Sequence, residues 1–93
     1  AFFRVSERHL RSFVNADFAM SNVLYGQRIA HWRKREGLSQ RALGAVISVS
    51  QGYISDIEKG RSGPSREFLA AISEKLGLNP AWVLDGQEPM AFD

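Results

Sequence analysis

Between Ser39 and Gly60 the chain reads SQRALGAVISVSQGYISDIEKG, and this stretch leaves little choice of fold. Ser39 and Ser50 each stand immediately before a short run with apolar residues at helical spacing, Leu43 and Ile47 in the first, Ile54 and Ile57 in the second. A serine hydroxyl in that place accepts from an otherwise unpaired N–H of the first helical turn. Only Ser48 and Val49 separate the end of one run from the cap of the next, and Gly60 ends the second. The pattern therefore predicts a helix from Gln40 to Val46 or Ile47, a tight turn, and a helix from Gln51 to Glu58 or Lys59. Gly44 falls inside the first of these, where it costs about 1 kcal/mol relative to Ala. Close approach of the following helix is a reason to keep it.

Two helices this short bury one stripe each and need others to pack against. The sequence supplies them. A helix is predicted over about Val23 to Glu36, stopped at Gly37, with Leu38 turning inward. Arg61-Ser62-Gly63-Pro64 has the chemistry of a loop. Ser65 caps a helix to Leu76 with Gly77 as its stop, and Asn79 caps a short helix opened by Pro80 and ended near Asp85-Gly86. The inward positions are Ile29, Leu38, Leu43, Ile47, Val49, Ile54, Ile57, Phe68, Leu69, Ile72, Leu76, Val83 and Leu84. No segment alternates as a strand does, so the fold class is all-α, a compact five-helix domain over residues 20–86. Residues 87–93 lack periodicity and read as a tail or the start of a linker. Residues 1–19 stand apart: Leu10, Phe13 and Val14 have helical spacing behind a possible Ser6 cap, with Phe2, Phe3 and Phe18 also apolar, while Met20-Ser21 resembles a translation start. They read either as leader sequence or as an added helix docking on the domain or on a second copy.

Composition narrows the function. Ninety-three residues allow one domain with a modest core. The absence of cysteine excludes disulfides and thiolate metal sites and suits a reducing cytoplasm. Charge is unevenly placed. From Arg28 to Arg66 eight basic residues (Arg28, Arg33, Lys34, Arg35, Arg41, Lys59, Arg61, Arg66) face three acids (Glu36, Asp56, Glu58); beyond Arg66 there are five acids and only Lys75. The basic portion contains the helix pair and turns it toward an anionic partner.

Short helices joined in this way are the layout of a DNA reader whose second helix enters the major groove with its N-terminal side chains at base edges. Gln40 and Gln51, eleven residues apart, open the two helices. The amide of Gln51 offers a donor and an acceptor on one plane, which matches N6 and N7 of adenine. Chemistry of other kinds finds no support. His9 and His31 are isolated, so no metal is expected. Ser50 and Ser55 have no partnering base and are accounted for by capping and helix packing. Gly60 and Gly63 follow a helix and make no phosphate-cradling loop. No catalytic residue and no cofactor are expected; the chain reads as a non-enzyme.

RIAHWRKREGLSQRAL, VSQGYISDIEKGRSGPS and LAAISEKLGLNPAWVLDGQEPM together resemble the Cro and phage-repressor (XRE-type) helix-turn-helix proteins, with their lambda-repressor-like fold, over about Tyr25 to Met90. The resemblance implies that Gln51, Gly52, Tyr53 and Asp56 stand at base-reading places: Gly52 gives only backbone approach or space, Tyr53 lies along the groove wall, and Asp56 accepts from cytosine N4 or orients a neighbour. It implies that Gln40 binds a phosphate and braces Gln51. It also sets Ser50, Lys59, Arg61 and Arg66 against the DNA backbone. Arg33 and Glu58 match a buried ion pair between the first and third helices of the domain. Two departures stand out. Ser48 occupies a turn position usually filled by Gly, which is costly if φ must be positive, and Asp56 puts an acid on a face meant for phosphate.

The reading is a sequence-specific, double-stranded DNA-binding transcriptional regulator. It would be a phage or bacterial repressor acting on the cytoplasmic nucleoid and holding a near-palindromic operator as a homodimer. Trp32 and Trp82 are packing residues in the plain reading; Trp82 is also the candidate dimer contact, since aromatic anchors dominate interfaces. The alternative is an antitoxin or anti-repressor, a protein-interaction module on the same fold. A third possibility is the DNA-binding portion of a longer, self-cleaving repressor.

Overall fold

The computed structural model describes the backbone of residues 7–92 and the side chains of residues 20–92. Among the described residues there are five helices: α1 (Glu7–Arg35), α2 (Gln40–Ile47), α3 (Gln51–Glu58), α4 (Arg66–Leu76) and α5 (Pro80–Asp85). The caps act as the sequence requires. Ser39, Ser50 and Ser65 accept from the N–H groups of Ala42, Tyr53 and Phe68, each at about 3 Å, and Asn79 accepts from Ala81 N–H at 3.1 Å. Gly37, Gly60, Gly77 and Gly86 follow helices with positive φ.

The first helix differs from the expectation. It is continuous from Glu7 rather than starting near Val23. No Gly or Pro lies between Glu7 and Tyr25, so nothing in the sequence interrupts the helical backbone there. The readings placed on Phe2, Phe3 and Ser6, and on the side chains of Leu10, Phe13, Val14 and Phe18, lie outside the described residues.

α1 packs against α3 and α5, α2 against α3 and α4, and α4 meets α5. The core is Ile29, Trp32, Leu43, Ile47, Ile54, Ile57, Phe68, Leu69, Ile72, Leu78 and Val83. Leu38, Val49 and Leu76 are only partly buried against it, and Leu84 is 38% exposed. α5 is six residues long and turns Val83 fully inward, which rotates the next residue about 100° away toward solvent. Trp32 and Leu78 complete the core without having been placed there by periodicity.

Two glycines permit close crossings. A Cβ on Gly26 would overlap the carbonyl oxygens of Ile57 and Glu58, so Gly26 lets α1 lie directly on the end of α3. A Cβ on Gly44 would stand 2.5 Å from the carbonyl oxygen of Val49. The close approach expected at Gly44 is therefore made chiefly by the turn, whose Val49 N–H also donates to the Gly44 carbonyl at 2.9 Å.

The tail is not left loose. Asn79, almost fully buried, donates from Nδ2 to the carbonyls of Gln87 and Pro89 at 3.3 and 2.8 Å, and its N–H donates to Met90 at 2.9 Å. Leu78 and Ala91 form an isolated antiparallel bridge, which holds residues 87–92 against the helices although their sequence shows no period.

Candidate nucleic-acid interface

The site is built from the turn outward. Ser48 adopts φ 60° and ψ 44°, the left-handed conformation that the sequence departure raised as a cost. That geometry reverses the chain within two residues, so α3 starts immediately across from the end of α2. α3 then buries Ile54 and Ile57 and turns Gln51, Gly52 and Lys59 outward, with Ser55 and Asp56 partly exposed on the same side.

What fixes α3 is a polar joint beneath it. Arg33 Nε and Nη2 donate to Glu58 Oε2 and Oε1 at 2.6 and 2.9 Å, and Arg33 Nη1 donates to the Leu38 carbonyl at 2.8 Å. The side chains are only 10% and 7% exposed. The Glu58 hydrogen bond and charge raise the pKa of the Arg33 guanidinium above its ordinary value, against the opposing effect of burial. The expected pair is present, and it reaches a third helix as well. Gln40 Nε2 donates to Glu58 Oε1 at 3.1 Å. Gln40 therefore braces Glu58, whose carboxylate also holds Arg33. Its amide nitrogen carries a second hydrogen that this bond does not use.

The outward residues divide into free and engaged. Gln51 is exposed at the first position of α3. Gly52 beside it is exposed too, and a Cβ there would meet nothing within 4 Å. Ser50 is exposed but its hydroxyl caps Tyr53 N–H. Tyr53 is not free along a groove wall. Its ring meets Phe68 edge-on, centroids 5.5 Å apart, and its hydroxyl donates to Ser65 Oγ at 3.3 Å. Position 53 follows the inward side of α3 near Ile54 and Ile57, which draws the ring onto α4. Asp56 Oδ1 lies 3.5 Å from Nη1 of Arg61. Lys59 and Arg66 are exposed at the two ends of the loop that follows α3. Ser55, one turn beyond Gln51 on the outward side, is a candidate contact that a reading based on capping and helix packing passed over; its spacing was the available signal.

Trp82 is half-buried, its ring 6.4 Å from that of His31, and it packs against the core. Arg28 Nη1 donates to the Val83 carbonyl at 2.7 Å, placing a cation at the C-terminal end of α5. Among the described residues there is no group of three or more His, Asp or Glu placed to hold a metal, and no helix long and apolar enough to cross a membrane.

Residues 29–83 match a family model described as helix-turn-helix, a span that runs from Ile29 in α1 to Val83 in α5. The chain is 36% identical over 67 residues to the HTH-type transcriptional regulator DicA of Escherichia coli, covering 72% of this chain and 50% of that protein. It is 35% identical over 65 residues to the immunity repressor protein of Bacillus phage phi105, covering 70% and 44%. It is 41% identical over 73 residues to the transcriptional regulator ClgR of Mycobacterium tuberculosis, covering 77% and 61%. The chain thus spans about half the length of the relatives it matches.

Proposed function

Because this chain belongs to the XRE-type helix-turn-helix family, we propose that it is a sequence-specific, double-stranded DNA-binding transcriptional regulator, a repressor in the cytoplasm of a bacterium. The observation that carries this reading is the outward side of α3. A short helix locked from beneath by Arg33, Glu58 and Gln40 presents Gln51, Gly52, Ser55, Asp56 and Lys59 to solvent, with Arg61 and Arg66 beside it. The joint holds the helix at a fixed tilt, so base contacts need no ordering at the moment of binding.

In the major groove Gln51 reads a base through its amide, and Gly52 admits the DNA without a side chain in the way. Ser50, Lys59, Arg61, Arg66 and the spare N–H of Gln40 meet phosphate, which positions the helix without reading sequence. One copy offers too few base contacts for useful selectivity. Two copies place their α3 helices in successive major grooves about 34 Å apart on a near-palindromic operator. Occupancy of that site excludes RNA polymerase. The part of Trp82 left outside the core is the candidate contact between copies.

The test is selection of bound duplexes from a randomised pool, run in parallel with Gln51→Ala. A palindromic site with half-site centres about 10 base pairs apart is expected, and the variant should lose about 1–3 kcal/mol on it with relaxed preference at one base pair. A folded protein that enriches no duplex would refute the reading and favour a protein-interaction module. Equal loss on all DNA would remove Gln51 from base reading.

A further inference from the structure

An acid on the DNA-facing side of a reading helix needs an explanation. Asp56 is half-exposed and Arg61 two-thirds exposed, 48% and 67% for their side chains, and their charged atoms lie 3.5 Å apart. The backbone brings them together. Gly60 turns the chain with φ 77°, and the N–H groups of Arg61 and Ser62 both donate to the Asp56 carbonyl, at 2.9 and 3.4 Å. Arg61 is thereby returned over the last turn of α3, beside the carboxylate. An exposed pair of this kind contributes little to stability. Its consequence lies in the electrostatics of the face: of the exposed cations Lys59, Arg61 and Arg66, Arg61 is partly neutralised before any DNA arrives.

That neutralisation acts differently on right and wrong sequences. Binding to DNA of arbitrary sequence rests almost wholly on phosphate contacts, so a residue that subtracts a phosphate contact lowers it directly. At a preferred site an opposing cytosine amino group gives Asp56 a donor of its own. Resting on the reading of α3 as a major-groove helix, we propose that Asp56 is a specificity-determining residue that holds Arg61 back from phosphate on non-matching DNA and releases it when a base amino group engages the carboxylate. Base recognition at one position then adds a phosphate contact at another.

The experiment measures affinity against salt concentration for two probes, the duplex enriched from the randomised pool and a mixed-sequence duplex. It uses the unchanged protein, Asp56→Asn, Arg61→Ala and the double variant; both positions are exposed, so all four chains should fold alike. The unchanged protein should show a log–log slope steeper on the enriched duplex than on the mixed one by about 0.9, one counterion more. Asp56→Asn should raise affinity for the mixed duplex severalfold at low salt and bring its slope up to that of the enriched one. Arg61→Ala should bring the enriched slope down to the mixed one, and in that background Asp56→Asn should lose its effect on slope. Equal slopes on both duplexes in the unchanged protein would overturn the proposal. So would an Asp56→Asn gain that persists undiminished without Arg61, because it would then come from general charge alone. Absence of salt-dependent DNA binding in every variant would instead remove the DNA-binding reading itself.

Discussion

Removing Glu58 should cost this domain a large part of its stability. The carboxylate accepts three hydrogen bonds, from Arg33 Nε, Arg33 Nη2 and Gln40 Nε2 at 2.6, 2.9 and 3.1 Å. In Glu58→Ala the Arg33 guanidinium, with a side chain 10% exposed, keeps only the Leu38 carbonyl as a partner. A buried charge stripped of its counter-ion costs about 3–5 kcal/mol. A chain of this length has roughly 5–14 kcal/mol in all, so the loss takes between a fifth and nearly all of it. Urea unfolding followed by far-ultraviolet circular dichroism should show a midpoint lowered accordingly with an unchanged slope. Replacing the pair together, Arg33→Met with Glu58→Leu, should recover most of that loss, since two apolar side chains leave no orphaned charge. The reasoning fails if Glu58→Ala costs under about 1 kcal/mol, the range of a solvated pair. It fails equally if the double replacement unfolds as readily as the single one.

The two outward and inward glycines of the helix pair should respond oppositely to the same change. Gly52→Ala should stabilise by up to about 1 kcal/mol, the propensity difference, because nothing stands within 4 Å of the new Cβ. Gly44→Ala should destabilise despite that same gain, because its Cβ would press on the Val49 carbonyl at 2.5 Å; urea midpoints of the two variants decide both. Ser48→Gly should stabilise by about 0.5–1 kcal/mol, relief of the left-handed strain exceeding the added freedom of the unfolded chain. A lowered thermal midpoint for Ser48→Gly would show that the serine is not strained at φ 60°.

How much of this was legible in the sequence depends on the range of the interactions involved. Caps and stops act within one turn, so Ser39, Ser50, Ser65, Asn79 and the glycines after the helices place α2 to α5 nearly residue by residue. The start of α1 is set by no comparable signal: Val23 follows an apparent restart at Met20, yet the backbone has no breaker there and continues the helix from Glu7. Trp32, read as a packing residue, and Leu78 were both missed by the apolar period, for different reasons. Trp32 sits among polar neighbours, His31, Arg33 and Lys34, that blur the apolar stripe, and Leu78 lies between helices, where no period applies. The partner of Gln40 could not be read from spacing either, because Glu58 is eighteen residues away and reaches it only through the packing of α2 on α3. The same limit hid the bond from Tyr53 to Ser65.

The side chains of α3 separate into two sets that scarcely communicate. Tyr53, Ile54, Ile57 and Glu58 hold the helix to its neighbours, Tyr53 to α4 and Glu58 to α1 and α2, and changing any of them loosens the outward surface of α3. Gln51, Gly52 and Lys59 are exposed, a Cβ at Gly52 would meet nothing within 4 Å, and the Asp56–Arg61 contact faces solvent. On the proposed function, substitution in the outward set should change what is recognised at little cost in stability, while the inward set preserves the tilt of the helix. Of the two departures, Asp56 falls on the outward side of α3 and Ser48 in the turn that precedes it. Neither disturbs the joint of Arg33, Glu58 and Gln40 beneath α3, so an acid at a proposed reading position coexists with an ordinary core.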